Sequence, residues 1–285
     1  MDYCILRNYY KKSYGIILLL RPVNILITFI SVFIGAWVGG NIYPLEKLFY
    51  ACLSGALICG GGNVLNDYFD AESDMINKPN RPIPSGIICK LNALLLWIII
   101  SIIGFTLSFF ISLNGVFIAA TAVVLLFFYN SFIKNTVLIG NIVISFLTGL
   151  AFIYGGEAVG NIKGGFIPAV FAFLFHLGRE VIKDAEDIEG DSAAELCTFP
   201  IKYGIKKSTY FAVTVFIFLS LFTLYPYLFL GYSLTYLLIV IFGVDLTISY
   251  VIYSLFKNPD RYSLRRVNNI LKMDMLIGLL ALYLK

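Results

Sequence analysis

Charged residues are scarce in this chain of 285 residues. Asp, Glu, Lys and Arg make up 13% of it, whereas 59% of the residues are apolar. An ordinary soluble domain carries roughly 25% charged residues, and so little charge cannot cover a soluble surface of this size. The high apolar content also excludes intrinsic disorder. Because a membrane span needs about 20 mostly apolar residues, the composition predicts a polytopic membrane protein.

Histidine and paired cysteines are also nearly absent. The chain has one histidine, His176, and five cysteines that lie scattered without a CxxC pair. This pattern argues against a disulfide scaffold and against a zinc site of His and Cys ligands. A metal site in this chain therefore has to be built from oxygen ligands.

Long apolar runs recur along the chain and predict nine transmembrane helices. They cover residues 23–40, 47–65, 91–112, 115–133, 137–155, 165–183, 208–228, 233–255 and 268–284. Residues 2–20 combine Lys11, Lys12 and tyrosines with an aliphatic face, which is typical of an interfacial helix. The whole chain, residues 1–285, is expected to form one all-α membrane domain.

The basic residues predict the orientation of these spans. If the N-terminus lies in the cytoplasm, all but three of the 21 Lys and Arg residues fall on the cytoplasmic side. The exceptions are Lys47, Lys163 and Lys285. This asymmetry follows the positive-inside rule, and a missed or extra span would destroy it. We therefore expect a cytoplasmic N-terminus.

The acidic residues are concentrated in two segments with the same internal spacing, and 11 of the 17 lie within 67–74 and 180–195. The motif Asp-x-x-Asp-x-x-x-Asp occurs as Asp67, Asp70 and Asp74 and again, 117 residues later, as Asp184, Asp187 and Asp191. Asn24 and Asn141 are also 117 residues apart, and segments 82–86 and 200–204 correspond at an offset of 118. The pattern predicts a parallel repeat of four helices. The helices would ring a central cavity that opens to the cytoplasm, with residues 66–90 and 184–206 as its cap.

The two acidic motifs predict a magnesium site. Spacings of three, four and seven residues place side chains on one face of a helix, so each motif should form a carboxylate stripe, with Asn66 in line with the first. Six carboxylates close together repel each other unless cations neutralise them. Oxygen-only ligands favour Mg²⁺, which commonly shares its coordination shell between carboxylates and substrate phosphates. We expect Asn66 and the six aspartates to hold Mg²⁺ and, through it, a diphosphate.

Basic residues flank both motifs and are candidates for binding the diphosphate directly. Lys78 and Arg81 follow the first motif, and Arg179 and Lys183 precede the second. Arg21 and Lys134 lie at the cytoplasmic ends of spans one and four. The alternative is that these residues only follow the positive-inside rule.

The chain resembles the UbiA superfamily of intramembrane prenyltransferases. The resemblance is carried by Arg21-Pro22-x-Asn24, by Asn66-Asp67-x-x-Asp70-x-x-x-Asp74 and by Asp184, Asp187 and Asp191. Within that superfamily, segments 77–86 and 178–184 are similar to the archaeal digeranylgeranylglyceryl phosphate synthases. The resemblance covers nearly the whole chain. Asn24, which the resemblance includes, and its counterpart Asn141 in the repeat join the expected substrate-binding residues.

The resemblance implies a reaction and a location. Geranylgeranyl diphosphate would donate its prenyl chain, with Mg²⁺ bound, to the free glycerol hydroxyl of geranylgeranylglyceryl phosphate in ether-lipid synthesis at the cell membrane. Tyr68 and Tyr129 are candidates for stabilising the allylic cation through their ring faces. The acceptor phosphate could bind Arg21, Lys12 or Lys134, and the sequence does not choose among them.

Two other functions fit parts of the pattern. An aromatic acceptor, as in quinone or haem prenylation, would use the same diphosphate site. A cation transporter would also use acidic clusters on repeated helices, although transport sites usually lie near the membrane midplane. No feature of the sequence indicates a nucleic-acid partner.

Overall fold

A computed structural model describes residues 2–257 and 259–285, with side chains described from residue 11 onward. In this part of the chain every regular element is helical, which confirms the predicted all-α class. The α-helices are α1 (Asp2–Leu20), α2 (Pro22–Val38), α3 (Leu45–Phe69), α4 (Ala71–Asn77), α5 (Lys90–Ser108), α6 (Leu113–Ser131), α7 (Ile139–Ala158), α8 (Phe166–Glu186), α9 (Ile188–Ala193), α10 (Phe199–Tyr203), α11 (Ile205–Thr223), α12 (Tyr225–Phe229), α13 (Leu234–Ile239), α14 (Leu246–Lys257) and α15 (Arg261–Tyr283). A π-helical segment, Val240–Asp245, joins α13 to α14.

Eight helical segments of the described chain are long and apolar enough to cross a membrane. They are Lys11–Val38, Leu45–Phe69, Lys90–Ser108, Leu113–Ser131, Ile139–Ala158, Ile162–Glu186, Ile205–Phe229 and Leu234–Lys257. Each overlaps one of the first eight predicted spans. The chain is therefore a multi-pass membrane protein.

The ninth predicted span, 268–284, falls within α15 but differs from the other eight. Helix α15 does form, over Arg261–Tyr283. Its first half carries several charged and amide side chains, among them Arg265, Asn268 and Lys272, so its composition is not that of an apolar span. Arg265, Asn268 and Lys272 line a cavity within the helical bundle.

Helix α1 coincides with the segment predicted to lie at the membrane interface. It ends at Leu20, because Arg21 adopts a left-handed conformation with φ of 52° and separates it from α2. The side chains of residues 2–10 lie outside the described part. The position of α1 at a membrane surface stays a prediction.

The backbone confirms the 117-residue repeat. Asp70 ends α3 with φ and ψ of −81° and 3°, and Asp187 ends α8 with −90° and 4°. Arg21 and Leu138, which precede the first helix of each half, both have positive φ, at 52° and 67°. Each half therefore bends at the same places although most of the side chains differ.

The first helices of the two halves, α2 and α7, are in direct contact through glycine. A methyl group on Gly155 would stand 1.7 Å from the carbonyl oxygen of Val32, and one on Gly35 would stand 2.0 Å from that of Phe152. Only glycine permits this approach of two helix backbones. The contact brings the two halves together along one side of the cavity.

The short helices α4 and α9, which follow the two bends, also pack against each other. The amide of Asn77 donates to the carbonyl oxygen of Asp187 at 2.8 Å and accepts from the backbone N–H of Gly190 at 3.1 Å. A methyl group on Gly190 would lie 2.3 Å from the Asn77 amide nitrogen and 2.6 Å from the Ser73 carbonyl oxygen. This contact joins segments 66–90 and 184–206 and so places the two acidic motifs side by side.

Candidate active site

A cavity of about 900 Å³ lies inside the helical bundle. Charged and amide side chains gather where α2 begins and α3 ends, including Arg21, Asn24 and Asn66. Farther along α2 and α7 the walls are mostly apolar, with Ile27 and Phe152 as examples. The cavity thus has a polar end for a charged group and an apolar remainder for a hydrocarbon.

Each aspartate of the first motif is bound by its own cation. Asp67 is paired with Arg21, and Asp70 is paired with Lys134. Arg81 bridges the motif, because its Nη1 pairs with Asp74 and also lies 3.1 Å from Asp67 Oδ1. Asp67 and Asp74 are almost completely buried.

In the second motif, one aspartate pairs with a cation and another accepts a hydrogen bond from an amide. Lys78, which follows the first motif in sequence, pairs with Asp187 of the second. The amide of Asn141 donates to Asp184 Oδ2 at 2.7 Å. The carboxylates therefore occupy equivalent positions in the two halves, but their partners differ. Asp67 is bound by Arg21, whereas its counterpart Asp184 is bound by Asn141.

Neither acidic motif lies on one uninterrupted helix, as the predicted stripes assumed. The helix bends at Asp70 in the first half and at Asp187 in the second, although the backbone hydrogen bonds of spacing four continue across both bends. On one straight helix, like charges at these spacings would repel each other. Asp67 and Asp74 nevertheless face the same side of the bend, since Arg81 Nη1 contacts both carboxylates.

The two acidic motifs lie close enough for charges of one to act on the other. Asp191 interacts with Lys134, with its own neighbour Asp187 and with Asp70 of the other half. Burial raises the pKa of Asp191 to about 6, although the attraction of Lys134 opposes the shift. Burial likewise raises the pKa of Asp74 against the attraction of Arg81. Burial thus favours the neutral form of both carboxylates, and a nearby cation favours the charged form.

The carboxylates suit a hard divalent cation by their chemistry. In the described part of the chain, no three carboxylate, imidazole or thiol groups already stand together as a metal site, since basic side chains occupy the carboxylates. The available donors are carboxylate oxygens and the Asn66 amide oxygen, a set that fits Mg²⁺ and does not fit zinc. Asn66 Oδ1 accepts from Arg21 at 3.1 Å. Asn66 and the six aspartates remain the predicted ligands.

Seven of the nine predicted substrate-binding residues line the cavity. They are Arg21, Asn24, Asn66, Lys78, Arg81, Arg179 and Lys183. Lys134 and Asn141 do not line the cavity. Lys134 instead pairs with Asp70, and Asn141 donates a hydrogen bond to Asp184. Of the two tyrosines, Tyr129 lines the cavity, whereas Tyr68 packs in a cluster with Leu19.

Glu180 is a site residue that the sequence analysis did not single out. It is buried on α8 and accepts from Arg179 at 3.0 Å and from Lys183 at 2.8 Å. It therefore holds two cavity cations in place. Its position just before the second motif was visible in the sequence, but an acidic residue outside the motif's spacing gave no signal of this role.

Asn130 and Asn77 were also missed. Asn130 is buried at the end of α6 and accepts a hydrogen bond from Asn66 at 3.2 Å, which orients the Asn66 side chain. Asn77 joins α4 to α9. Neither residue lies at a repeated position with a chemical signature, so only the tertiary structure identifies them.

Comparison with known proteins gives the same family from sequence and from structure. The model of the UbiA prenyltransferase family matches residues 27–274. A digeranylgeranylglyceryl phosphate synthase of Methanosphaera stadtmanae is 37% identical over 263 residues, which cover 92% of this chain and 96% of that protein.

Two solved structures share the fold. One, from work on digeranylgeranylglyceryl phosphate synthase in membranes, superposes with a TM-score of 0.74 and 34% identity over 95% of this chain and 97% of that one. A UbiA homologue from Archaeoglobus fulgidus, bound to GPP and Mg²⁺, superposes with a TM-score of 0.69 and 17% identity over 94% and 99% of the two chains. On these grounds the chain belongs to the UbiA prenyltransferase family.

Proposed function

We propose that this enzyme transfers the geranylgeranyl group of geranylgeranyl diphosphate to the free glycerol hydroxyl of geranylgeranylglyceryl phosphate. The product is digeranylgeranylglyceryl phosphate, and diphosphate is released. The observation that carries the proposal is one cavity whose polar end is lined by cations paired with both acidic motifs and whose walls are apolar beyond that end. The similarity to digeranylgeranylglyceryl phosphate synthases supports the choice of donor and acceptor.

The polar end has the groups that a leaving diphosphate requires. Arg81 and Lys78 reach from the segment after the first motif, and Lys183 reaches from the helix of the second, so the diphosphate oxygens would meet donors from both halves. When bound, Mg²⁺ supplies a Lewis acid that stabilises the negative charge developing on the diphosphate. Asn66 and the six aspartates would hold it. Arg and Lys would add charge-assisted hydrogen bonds.

The apolar part of the cavity suits the prenyl chain. A volume of about 900 Å³ lies in the upper range of small-molecule pockets. Tyr129 is buried at the cavity wall, where its ring face can stabilise the allylic carbon as the carbon–oxygen bond breaks. The surrounding helices exclude water that would otherwise capture the cation.

The placement in the membrane follows from the charge distribution. We propose that α15 crosses the membrane as a ninth helix, with its polar face turned to the cavity rather than to lipid. The N-terminus and the polar end of the cavity would face the cytoplasm of the cell. Segments 66–90 and 184–206 would cap that end.

Product analysis tests this function. The purified protein, with Mg²⁺ and geranylgeranyl diphosphate, is offered geranylgeranylglyceryl phosphate, the corresponding dephosphorylated alcohol and 4-hydroxybenzoate, and the products are identified by mass spectrometry. We expect prenylation of the phosphate-bearing acceptor, with the bare alcohol a poor substrate. Preferential prenylation of 4-hydroxybenzoate would assign an aromatic acceptor instead. Equal turnover of the phosphate and the alcohol would also contradict the proposal.

A further inference from the structure

The cations that line the cavity fall into two groups. Eight basic residues line it: Arg21, Lys78, Arg81, Arg179, Lys183, Arg261, Arg265 and Lys272. Six of them are paired with a carboxylate of the first motif, of the second motif, or of Glu180 or Glu189. The other two lining cations, Arg265 and Lys272, form no ion pair with any carboxylate among residues 11–257 and 259–285.

Arg265 and Lys272 lie on one face of α15. They are seven residues apart, and Asn268 and Asn269 between them also line the cavity, at the three- and four-residue spacings of a single helix face. Lys272 is half-buried. A partly buried cation such as Lys272 is costly in a low-dielectric interior without an anion, whereas Arg265 is exposed and adds a second positive charge. This face is therefore suited to receive a negatively charged ligand.

This face of α15 lies next to the polar end of the cavity, where the donor diphosphate is proposed to bind, but its residues are different ones. Lys272 lies close enough to Arg179 and Arg21 to interact with them electrostatically. These two arginines are therefore the carboxylate-paired cations nearest to this face. The Nε of Arg179 is buried without a hydrogen-bond partner, so it has a free donor at this border. An anion on Lys272 would therefore lie beside the donor diphosphate.

We propose that Arg265 and Lys272 bind the phosphomonoester of the acceptor lipid, which makes α15 the helix that selects a phosphorylated acceptor. The assignment rests on the proposed function. In a glycerol phosphate the hydroxyl and the phosphate are separated by at most three carbons, so the phosphate has to bind close to the reacting carbon of the donor. The two cations also balance an acceptor charge that would otherwise repel the donor diphosphate at short range.

Steady-state kinetics of the full-length protein test this assignment. Lys272→Gln and Arg265→Gln should each raise the KM for geranylgeranylglyceryl phosphate roughly tenfold or more, the usual effect of losing one charge-assisted hydrogen bond. The KM for the donor should stay unchanged. Lys272→Arg, which keeps the charge, should restore most of the affinity. Arg266→Gln is the matched control, because Arg266 lies over the ring of Tyr250 and does not line the cavity.

Turnover of the dephosphorylated acceptor alcohol distinguishes phosphate binding by Arg265 and Lys272 from a purely structural role of these residues. In the double variant Arg265→Gln/Lys272→Gln, turnover of the phosphorylated acceptor should fall while the slow turnover of the alcohol is retained. An equal loss for both acceptors would overturn the assignment, as would a change in the donor KM in place of the acceptor KM. Binding of radiolabelled acceptor without donor, by equilibrium dialysis, should show the same ranking of variants. If the wild type does not prenylate the phosphorylated acceptor at all, the proposed function itself fails, and the assignment fails with it.

Discussion

Asp70 and Asp187 are 117 residues apart and occupy the same structural position. Each ends a long helix and begins a short one with nearly the same backbone angles, and each is bound by a lysine that comes from elsewhere in the chain. The lysine on Asp187 is Lys78, which belongs to the first half. The two acidic motifs are thus built as one unit across the repeat.

Removing a motif carboxylate should abolish most of the activity. Single changes of Asp70, Asp74, Asp187 or Asp191 to Ala are expected to reduce kcat by about 10²-fold or more, because each takes a charged group from the site that stabilises the leaving diphosphate. Asp67 and Asp184 should matter as well, by ligation or by orienting neighbouring groups. Turnover of purified variants in detergent measures the effect.

Carboxylates on the same short helices provide the controls. Glu72 lies on α4 with its side chain 80% exposed, and Glu189 lies on α9 with its side chain 63% exposed. Glu72→Gln and Glu189→Gln should retain activity near that of the wild type. Activity unaffected by the aspartate changes, or lost equally in the glutamate variants, would contradict a specific role of the motifs.

Magnesium affinity should depend on pH. Burial raises the pKa of Asp191 to about 6, so a proton competes with the metal for this carboxylate below that pH. The apparent Kd for Mg²⁺ should rise by up to about tenfold per pH unit as the pH falls below 6, and it should level off above 7. Titration calorimetry between pH 5 and 8 measures this. The same affinity at pH 5 and pH 7 would show that Asp191 is not a ligand.

The contact between α4 and α9 should be intolerant of any side chain at Gly190. Gly190→Ala places a methyl group within 2.6 Å of Asn77 and of the Ser73 carbonyl oxygen, so the short helices have to separate. We expect activity to fall at least tenfold, because the two motifs move apart. Ser192→Ala, an equally small change at an exposed position of α9, is the control. Wild-type activity of Gly190→Ala would contradict the role of this contact.

Native cysteines allow the proposed orientation to be tested. Cys89 and Cys197 are exposed and belong to the segments assigned to the cytoplasmic side. In a Cys4→Ser background, a membrane-impermeant maleimide should label them in inside-out vesicles and leave them unlabelled in intact cells. Cysteines introduced at exposed Leu113 or Leu230 should show the reverse. Labelling of position 113 or 230 from the cytoplasm would invert the topology.

Several features of the fold could be predicted because they depend on local chemistry. Apolar runs determined eight spans, and the spacing of Asp70 and Asp187 revealed the repeat that the backbone confirms. Helix α15 differs from these eight spans, since its first half is polar and some of its polar side chains, Lys272 among them, line the cavity. A hydropathy pattern does not show which face of a helix is covered by other helices.

The partners of the charged groups could not be predicted. The sequence placed Arg21 and Lys134 near the carboxylates but did not pair them, and it left both as candidates for the acceptor phosphate. In the structure both are bound to aspartates of the first motif, whereas Lys272 lines the cavity without a carboxylate partner among the described residues. Pairing of this kind depends on contacts between residues far apart in the chain.

We expect the two acidic motifs to act together on one diphosphate through Mg²⁺. Titration calorimetry with a non-hydrolysable thio analogue of geranylgeranyl diphosphate, with the wild type, Asp70→Asn, Asp187→Asn and the double variant, tests it most directly. We expect binding of the analogue to require Mg²⁺. Either single substitution should weaken binding almost as much as the double substitution, because the effects of substitutions at residues that act as a unit are not additive. Strictly additive losses, or binding that persists in EDTA, would contradict it.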